Sequence, residues 1–262
     1  MPDTPRPLAD LHAVVTGGGR GIGAAIVRRL AAMGASVSLL GRTPEPLRAL
    51  AGELDDAHPQ AFAAVPADVT DEAQVEAAFA AARGALGPVA ILVNNAGAVD
   101  SVPLAAMPPD RWDAMLNVNL TSAYRCIRHA LPGMTEAGHG RIVNVASTAG
   151  MKGYPYVAAY CAAKHGLVGL TRALALEVAK TGVTVNAVCP GYTDTDLVAD
   201  SVGALAEKTG RSAEELRAGF ERQSPLERML SPEEVASAVA WLCHPEQAAV
   251  TGHALVVAGG EV

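Results

Sequence analysis

This sequence predicts a doubly wound α/β fold of the Rossmann type, one seven-stranded parallel sheet with helices on both faces, and three observations predict it. Short aliphatic, β-branched runs alternate with helical apolar spacing along the chain, a glycine-rich turn joins the first run to the first helical stretch, and 262 residues suit one unit of this class. A single domain over 1–262 is expected, because no internal repeat, low-complexity tract or linker interrupts the pattern.

The strands are read in order at 11–16, 35–40, 61–65, 89–93, 140–145, 183–188 and 253–257. The first, LHAVVT, runs into Gly17, Gly18, Gly19, Gly21 and Gly23, after which AAIVRRLAAMG has helical spacing. Glycine lets a backbone approach a pyrophosphate closely, and a helix N-terminus adds unpaired N–H donors and a favourable dipole. A dinucleotide would dock there. The spacing is G-x-x-x-G-x-G rather than G-x-G-x-x-G, so a purely structural turn stays open as the rival. Right-handed crossovers place the helices on both faces and any ligand beyond the carboxyl ends of the strands, at the topological switch. The connection over 192–230 is long and charged, and reads as a substrate lid. Its Leu197, Val198, Val202, Leu205, Leu216, Phe220 and Met229 would face either a substrate or the core, the core being expected for most.

Half the residues are hydrophobic, 18% are charged and 4% aromatic, which predicts a large core built from Ala, Val and Leu. A formal charge of −7 gives no attraction for nucleic acid or for anionic lipid surfaces, and neither is an expected partner. No uninterrupted apolar run is long enough to span a membrane. The opening MPDTPRPLAD lacks the apolar centre of a signal peptide and reads as a short flexible lead-in, so a cytoplasmic location is expected. Cys126, Cys161, Cys189 and Cys243 form no Cys-x-x-Cys pair and no metal-ligand grouping with the histidines. Reduced thiols and no metal are expected, with Cys161 as a packing residue. Asn119-Leu-Thr is a formal glycosylation sequon without meaning in the cytosol.

Tyr160 and Lys164 lie four residues apart in YCAAK, thirteen positions after Ser147. On a helix they share a face, and an ammonium beside a phenol is expected to lower the phenol's pKa and make it useful in proton exchange. Ser147 would then hold the substrate oxygen. An ordinary surface pair is the rival for this motif taken alone.

Taken together the motifs resemble the short-chain dehydrogenase/reductase family, over nearly the whole chain. TGGGRGIG resembles its cofactor loop, NNAG at 94–97 its fourth-strand motif, and LNVNL places its active-site asparagine at Asn119. AS at 146–147 and YCAAK supply serine, tyrosine and lysine, while PGYTDT at 190–195 resembles its nicotinamide-side loop. The resemblance implies hydride transfer between a nicotinamide and a carbonyl or secondary alcohol. Tyr160 would exchange the proton, Ser147 orient the carbonyl, Lys164 support the phenolate and bond the ribose, and Asn119 hold a relay water. Cofactor contacts are expected from Gly17, Gly19, Arg20, Gly21, Ile22, Gly23, Arg42, Asp68, Val69, Asn95, Ala96, Gly97, Tyr160, Lys164, Pro190, Gly191, Thr193 and Thr195. Asp68 would approach the adenine, with a turn aspartate as the equal rival.

The acidic residue that would bond the ribose 2′-hydroxyl of NAD is missing where the second strand ends in Gly41 and Arg42. A guanidinium there can grip a 2′-phosphate, so NADP(H) is favoured, with NAD(H) possible. The chain is most similar to 3-oxoacyl thioester reductases, including polyketide ketoreductases, which implies a CoA or carrier-protein thioester substrate. A secondary-alcohol, diol or steroid-type dehydrogenase and a non-catalytic cofactor-binding regulator are the alternatives. The resemblance further implies a homotetramer, with helices at about 103–131 and 155–180 and the C-terminal segment at its interfaces.

Overall fold

The computed structural model describes residues 6–262, the side chains of residues 204 and 208 apart. Seven parallel strands form the sheet: β1 (His12–Thr16), β2 (Ser36–Gly41), β3 (Phe62–Pro66), β4 (Val89–Asn94), β5 (Gly140–Val145), β6 (Val183–Pro190) and β7 (Ala254–Val257). Their order is β3-β2-β1-β4-β5-β6-β7, every pairing parallel. Each expected strand is present within about two residues of its expected ends, the scatter normal for element boundaries.

Alternation along the strands divides the core into two layers. Ala13 and Val15 of β1 join Val37 and Leu39 on one face, under α1 (Gly21–Ala32), α2 (Pro44–Ala57) and α9 (Pro232–Cys243). Val14, Leu40, Leu92 and Ile142 point the other way, into α3 (Glu72–Leu86), α5 (Ser122–Ala137) and α6 (Ala158–Glu177). Ile26 and Leu30 of α1 are fully buried in the first layer, where each contributes roughly 1.5–3 kcal/mol.

Three expectations are corrected. The helix expected at about 103–131 is broken: α4 (Pro109–Leu116) starts at a proline, five residues of π-helix over Asn117–Thr121 follow, and α5 runs on to Ala137. Pro132 does not end α5, because buried Ala130 and Met134 hold the turns around it against the core; Gly138 at φ +66° ends it instead. The second long helix, expected at 155–180, is the shorter α6. The flexible lead-in is the third. Its first five positions lie outside the described residues, but Leu8 is fully buried in the first core layer and donates its N–H to the Met33 carbonyl at 3.0 Å.

The connection over 192–230 folds into α7 (Asp196–Thr209) and α8 (Ala213–Glu221). A bridge between Thr193 and Leu230 closes it at the base. Val202, Leu216 and Met229 are buried, Val198, Leu205 and Phe220 are half-buried and Leu197 is exposed, so fewer of the seven face the core than expected.

Candidate active site

Chain order reverses direction across the sheet between β1 and β4, which opens a crevice beyond their carboxyl ends. The glycine turn lies there. Gly17 takes φ +64° and Gly21 φ +51°, and a Cβ on Gly23 would sit 2.0 Å from the Gly17 carbonyl oxygen, so α1 can approach β1 this closely only without a side chain. Gly19 packs on Pro46 and Leu47, and Ile22 is half-buried in the first turn of α1. Arg20, the exposed residue before α1, offers no side-chain cap, so N–H groups of the first turn remain available to an anion.

The NNAG segment proves to be partly a brace. Asn95 spends its amide Nδ2 on the carbonyls of Thr16, at 3.0 Å, and Gly17, at 3.3 Å. The N–H groups of Asn95 and Ala96 both donate to the Thr16 hydroxyl at 3.0 Å. These bonds tie β4 to the glycine turn, so the Asn95 side chain holds the cradle instead of reaching into it. Sequence reading missed Thr16, Asn94, Asn144 and Thr171. Asn94 donates to Asn144 and Asn144 to Thr171, a buried chain of 2.9 Å bonds that fixes β4 and β5 against α6. Their signal was only a polar residue inside an apolar strand or helix pattern.

Asn119 lies inside the π-helical segment, a distortion that often marks a functional position. Buried, it donates from Nδ2 to the carbonyls of Ala98 (2.8 Å) and Met115 (3.0 Å) and accepts from the Ala98 N–H (3.2 Å). Gly97 passes beside it, where a Cβ would come within 2.7 Å of Asn119 Oδ1 and 3.6 Å of Lys164 Nζ. The segments bearing Asn119, Gly97 and Lys164 therefore converge on one spot. Ser147, just past β5, accepts the Ala149 N–H at 3.1 Å. Tyr160 and Lys164 share a face of α6, with Lys164 Nζ 5.6 Å from the Tyr160 ring centroid.

Here the expected electrostatics reverse. Burial pushes the Tyr160 phenol up to about 12, with the hydrogen bond to the Ser147 hydroxyl acting against it. Lys164 is itself buried, donates to the Val145 carbonyl at 2.9 Å, and is lowered to about 8 by desolvation. Low dielectric disfavours both charged forms, and in this state that outweighs the attraction between them. A phenol so placed is a proton donor at neutral pH, the form a carbonyl reduction needs.

The remaining positions fall around this centre. Arg42, exposed, lines a cleft of about 240 Å³ with Pro66, Ala67, Asp68 and Gln74, and among the described residues neither it nor Arg20 forms an ion pair. Asp68 accepts from both the N–H (2.9 Å) and the hydroxyl (2.7 Å) of Thr70, so it serves as a turn aspartate while bordering that cleft. Val69 is buried with the core, which leaves only its backbone for a ligand. Pro190 ends β6, Gly191 donates to the Val257 carbonyl, and the Thr193 and Thr195 hydroxyls donate to Gly191 and Thr193 carbonyls. Thr195 reaches back over the glycine turn, its Cγ2 3.3 Å from where a Gly21 Cβ would be. All four cysteines are buried, Cys161 included. Among the described residues no group of three acidic, histidine or cysteine side chains could hold a metal ion, and no helix is long and apolar enough to cross a membrane.

A doubly wound sheet with a glycine-braced crevice and a serine, tyrosine and lysine at its mouth defines an oxidoreductase that works on a bound nucleotide cofactor. The short chain dehydrogenase model matches residues 11–205, and the chain belongs to that family of enzymes. A Streptomyces coelicolor protein with the provisional name ketoacyl reductase is 42% identical over 95% of both chains. D-beta-hydroxybutyrate dehydrogenase of Rhizobium meliloti is 38% identical over 95% of this chain and 97% of its own. Among solved structures, actinorhodin polyketide ketoreductase with NADPH superposes with a TM-score of 0.92 at 40% identity, over 98% of this chain and 99% of its own.

Proposed function

We propose that the protein reduces 3-oxoacyl thioesters, carried on CoA or a carrier protein, with NADPH as the reductant. The observation that carries this reading is the likeness over nearly the full length to a polyketide ketoreductase with NADPH. The cradle fits the cofactor: glycines at 17, 21 and 23 clear the turn, first-turn N–H groups face the pyrophosphate position, and Arg42 borders the cleft where a 2′-phosphate would lie. When bound, the reduced nicotinamide supplies the hydride. The chain's own residues do the rest: Ser147 donates to the carbonyl oxygen, Tyr160 delivers its phenolic proton to that oxygen, and Lys164 with Asn119 restores the proton from the solvent side. The 1–262 chain acts as one domain, with 192–230 as the lid over the acyl group. We take the enzyme to be a cytoplasmic homotetramer; Leu176, on the outer face of α6, is 82% exposed in the single chain.

Steady-state kinetics test the substrate. Acetoacetyl-CoA or a longer 3-oxoacyl thioester is expected to show a higher kcat/KM with NADPH than simple ketones, because remote groups contribute binding energy that a small ketone lacks. Preference for a non-thioester hydroxy acid or cyclic alcohol would instead favour the dehydrogenase reading, which the 38% identity to D-beta-hydroxybutyrate dehydrogenase supports. Light scattering on the same preparation should give about four times the 26.8 kDa of one chain; a stable monomer rejects the tetramer.

Cofactor choice is tested at Arg42. Calorimetry is expected to give a lower Kd for NADPH than for NADH, and Arg42→Ala should narrow the gap by roughly tenfold, the loss of one charge-assisted contact. Equal wild-type affinities would make Arg42 a surface charge.

A further inference from the structure

The segment that follows β7 packs against Gly191 and, through Tyr154, reaches Thr148 beside Ser147. After β7, Gly259 (φ +61°) and Gly260 (φ +91°) turn the backbone through conformations that side chains resist, and bring Glu261 inward until its side chain is 4% exposed. There its carboxylate meets Lys152 Nζ at 3.1 Å and accepts the Tyr154 hydroxyl, while the Lys152 ammonium also donates to the Glu261 carbonyl at 3.4 Å. Tyr154 in turn pairs with the Thr148 hydroxyl at 2.7 Å, one residue from Ser147. Glu261 Oε2 lies 3.0 Å from where a Gly191 Cβ would be, and Leu226 packs so closely on Gly259 that a Cβ there would meet its Cγ at 2.4 Å. From this clamp an aromatic row leads outward. Tyr154 meets Tyr192 edge-on at 6.3 Å, and Tyr192 packs on Phe220 of α8 at 4.7 Å.

We propose that Glu261 is a positioning and specificity residue: its buried carboxylate clamps Tyr154 and Lys152 beside Gly191, fixes the aromatic row as one wall of the substrate site, and neutralises the Lys152 ammonium on that wall. The inference rests on the reading of the crevice as the carbonyl site and names what it admits. With Lys152 matched by Glu261, this wall favours the uncharged acyl portion of a substrate over a free carboxylate, because a second anion here would compete with the buried Glu261 carboxylate for Lys152 and be repelled by it. The thioester head group lies beyond the wall and is not held by it.

Two substitutions in the full-length, NADPH-loaded protein test this. Glu261→Gln keeps an acceptor for Tyr154 but frees the Lys152 charge, so the kcat/KM ratio of acetoacetate to ethyl acetoacetate should rise at least about fivefold. Glu261→Ala removes the clamp as well, and amide hydrogen exchange should speed up in 151–156 and 192–223 while the rest of the sheet keeps its protection. An unchanged substrate ratio in the glutamine variant, or unchanged exchange in the alanine variant, overturns the proposal. If the wild type turns over no carbonyl compound, the reading of function fails, and the exchange measurement alone decides the clamp.

Discussion

Tyr160→Phe is expected to lower carbonyl reduction by about 10²-fold or more while NADPH affinity and the unfolding midpoint stay near wild type. The ring carries the packing on α6, and phenylalanine keeps it; only the hydroxyl is lost. Burial raises that hydroxyl to about 12 and so keeps it protonated at neutral pH, the donor form that the proposed reduction needs. Wild-type reduction should accordingly be flat between pH 6 and 8 as far as Tyr160 is concerned. Single-turnover kinetics with NADPH separate this from a binding defect. Activity within a few-fold of wild type would remove Tyr160 from the proposed mechanism.

Lys164→Met is expected to damage two measurements at once, turnover by about 10²-fold and NADPH affinity as well, because one ammonium is assigned both to proton return and to the ribose. Loss of only one would split those roles. The same variant has a stability signature with a defined sign. The folded pKa of Lys164, about 8, lies below its ordinary 10.5, so burial of the charge costs stability in full below pH 8. Between about 8 and 10.5 the unfolded chain binds more protons at this residue, so its contribution to stability rises with pH. Methionine removes that rise. Tyr160 works in the opposite sense but only above its ordinary value of 10, where its raised folded pKa makes stability fall as pH increases. The buried thiols Cys126 and Cys243, raised to about 12, also lower stability as pH passes their ordinary value of 9, but equally in both proteins, so the difference between wild type and Lys164→Met in urea unfolding at pH 7.5 and 9.5 reads Lys164. A wild-type stability gain no larger than the variant's would contradict the buried, neutralising environment.

The strands, their parallel direction and the collection of TGGGRGIG, NNAG, Ser147, YCAAK and PGYTDT at one end of the sheet were legible because each rests on a local signal: an apolar run, a glycine where a turn must be tight, a four-residue helical spacing. The failures have a different character. Nothing in LNVNL announces a π-helical segment, and the buried Asn119 within it takes its partners from the backbone at Ala98 and Met115, the first of them 21 positions away. The helix end expected at about 131 failed because Met134, buried beyond Pro132, outweighs that local breaker.

By itself, then, the sequence determined the fold class, the family's motif positions and the cofactor crevice, all consequences of short-range backbone preference and hydrophobic period. Only the tertiary structure decided the sign of the Tyr160 shift, the use of Asn95 as a brace on Thr16 and Gly17, and the burial of Glu261 against Lys152 and Tyr154. Those outcomes depend on desolvation and on contacts between residues 78 to 109 positions apart, 79 and 78 for Asn95 and 107 and 109 for Glu261. Desolvation is a property of the packed interior, and no spacing along the chain encodes it.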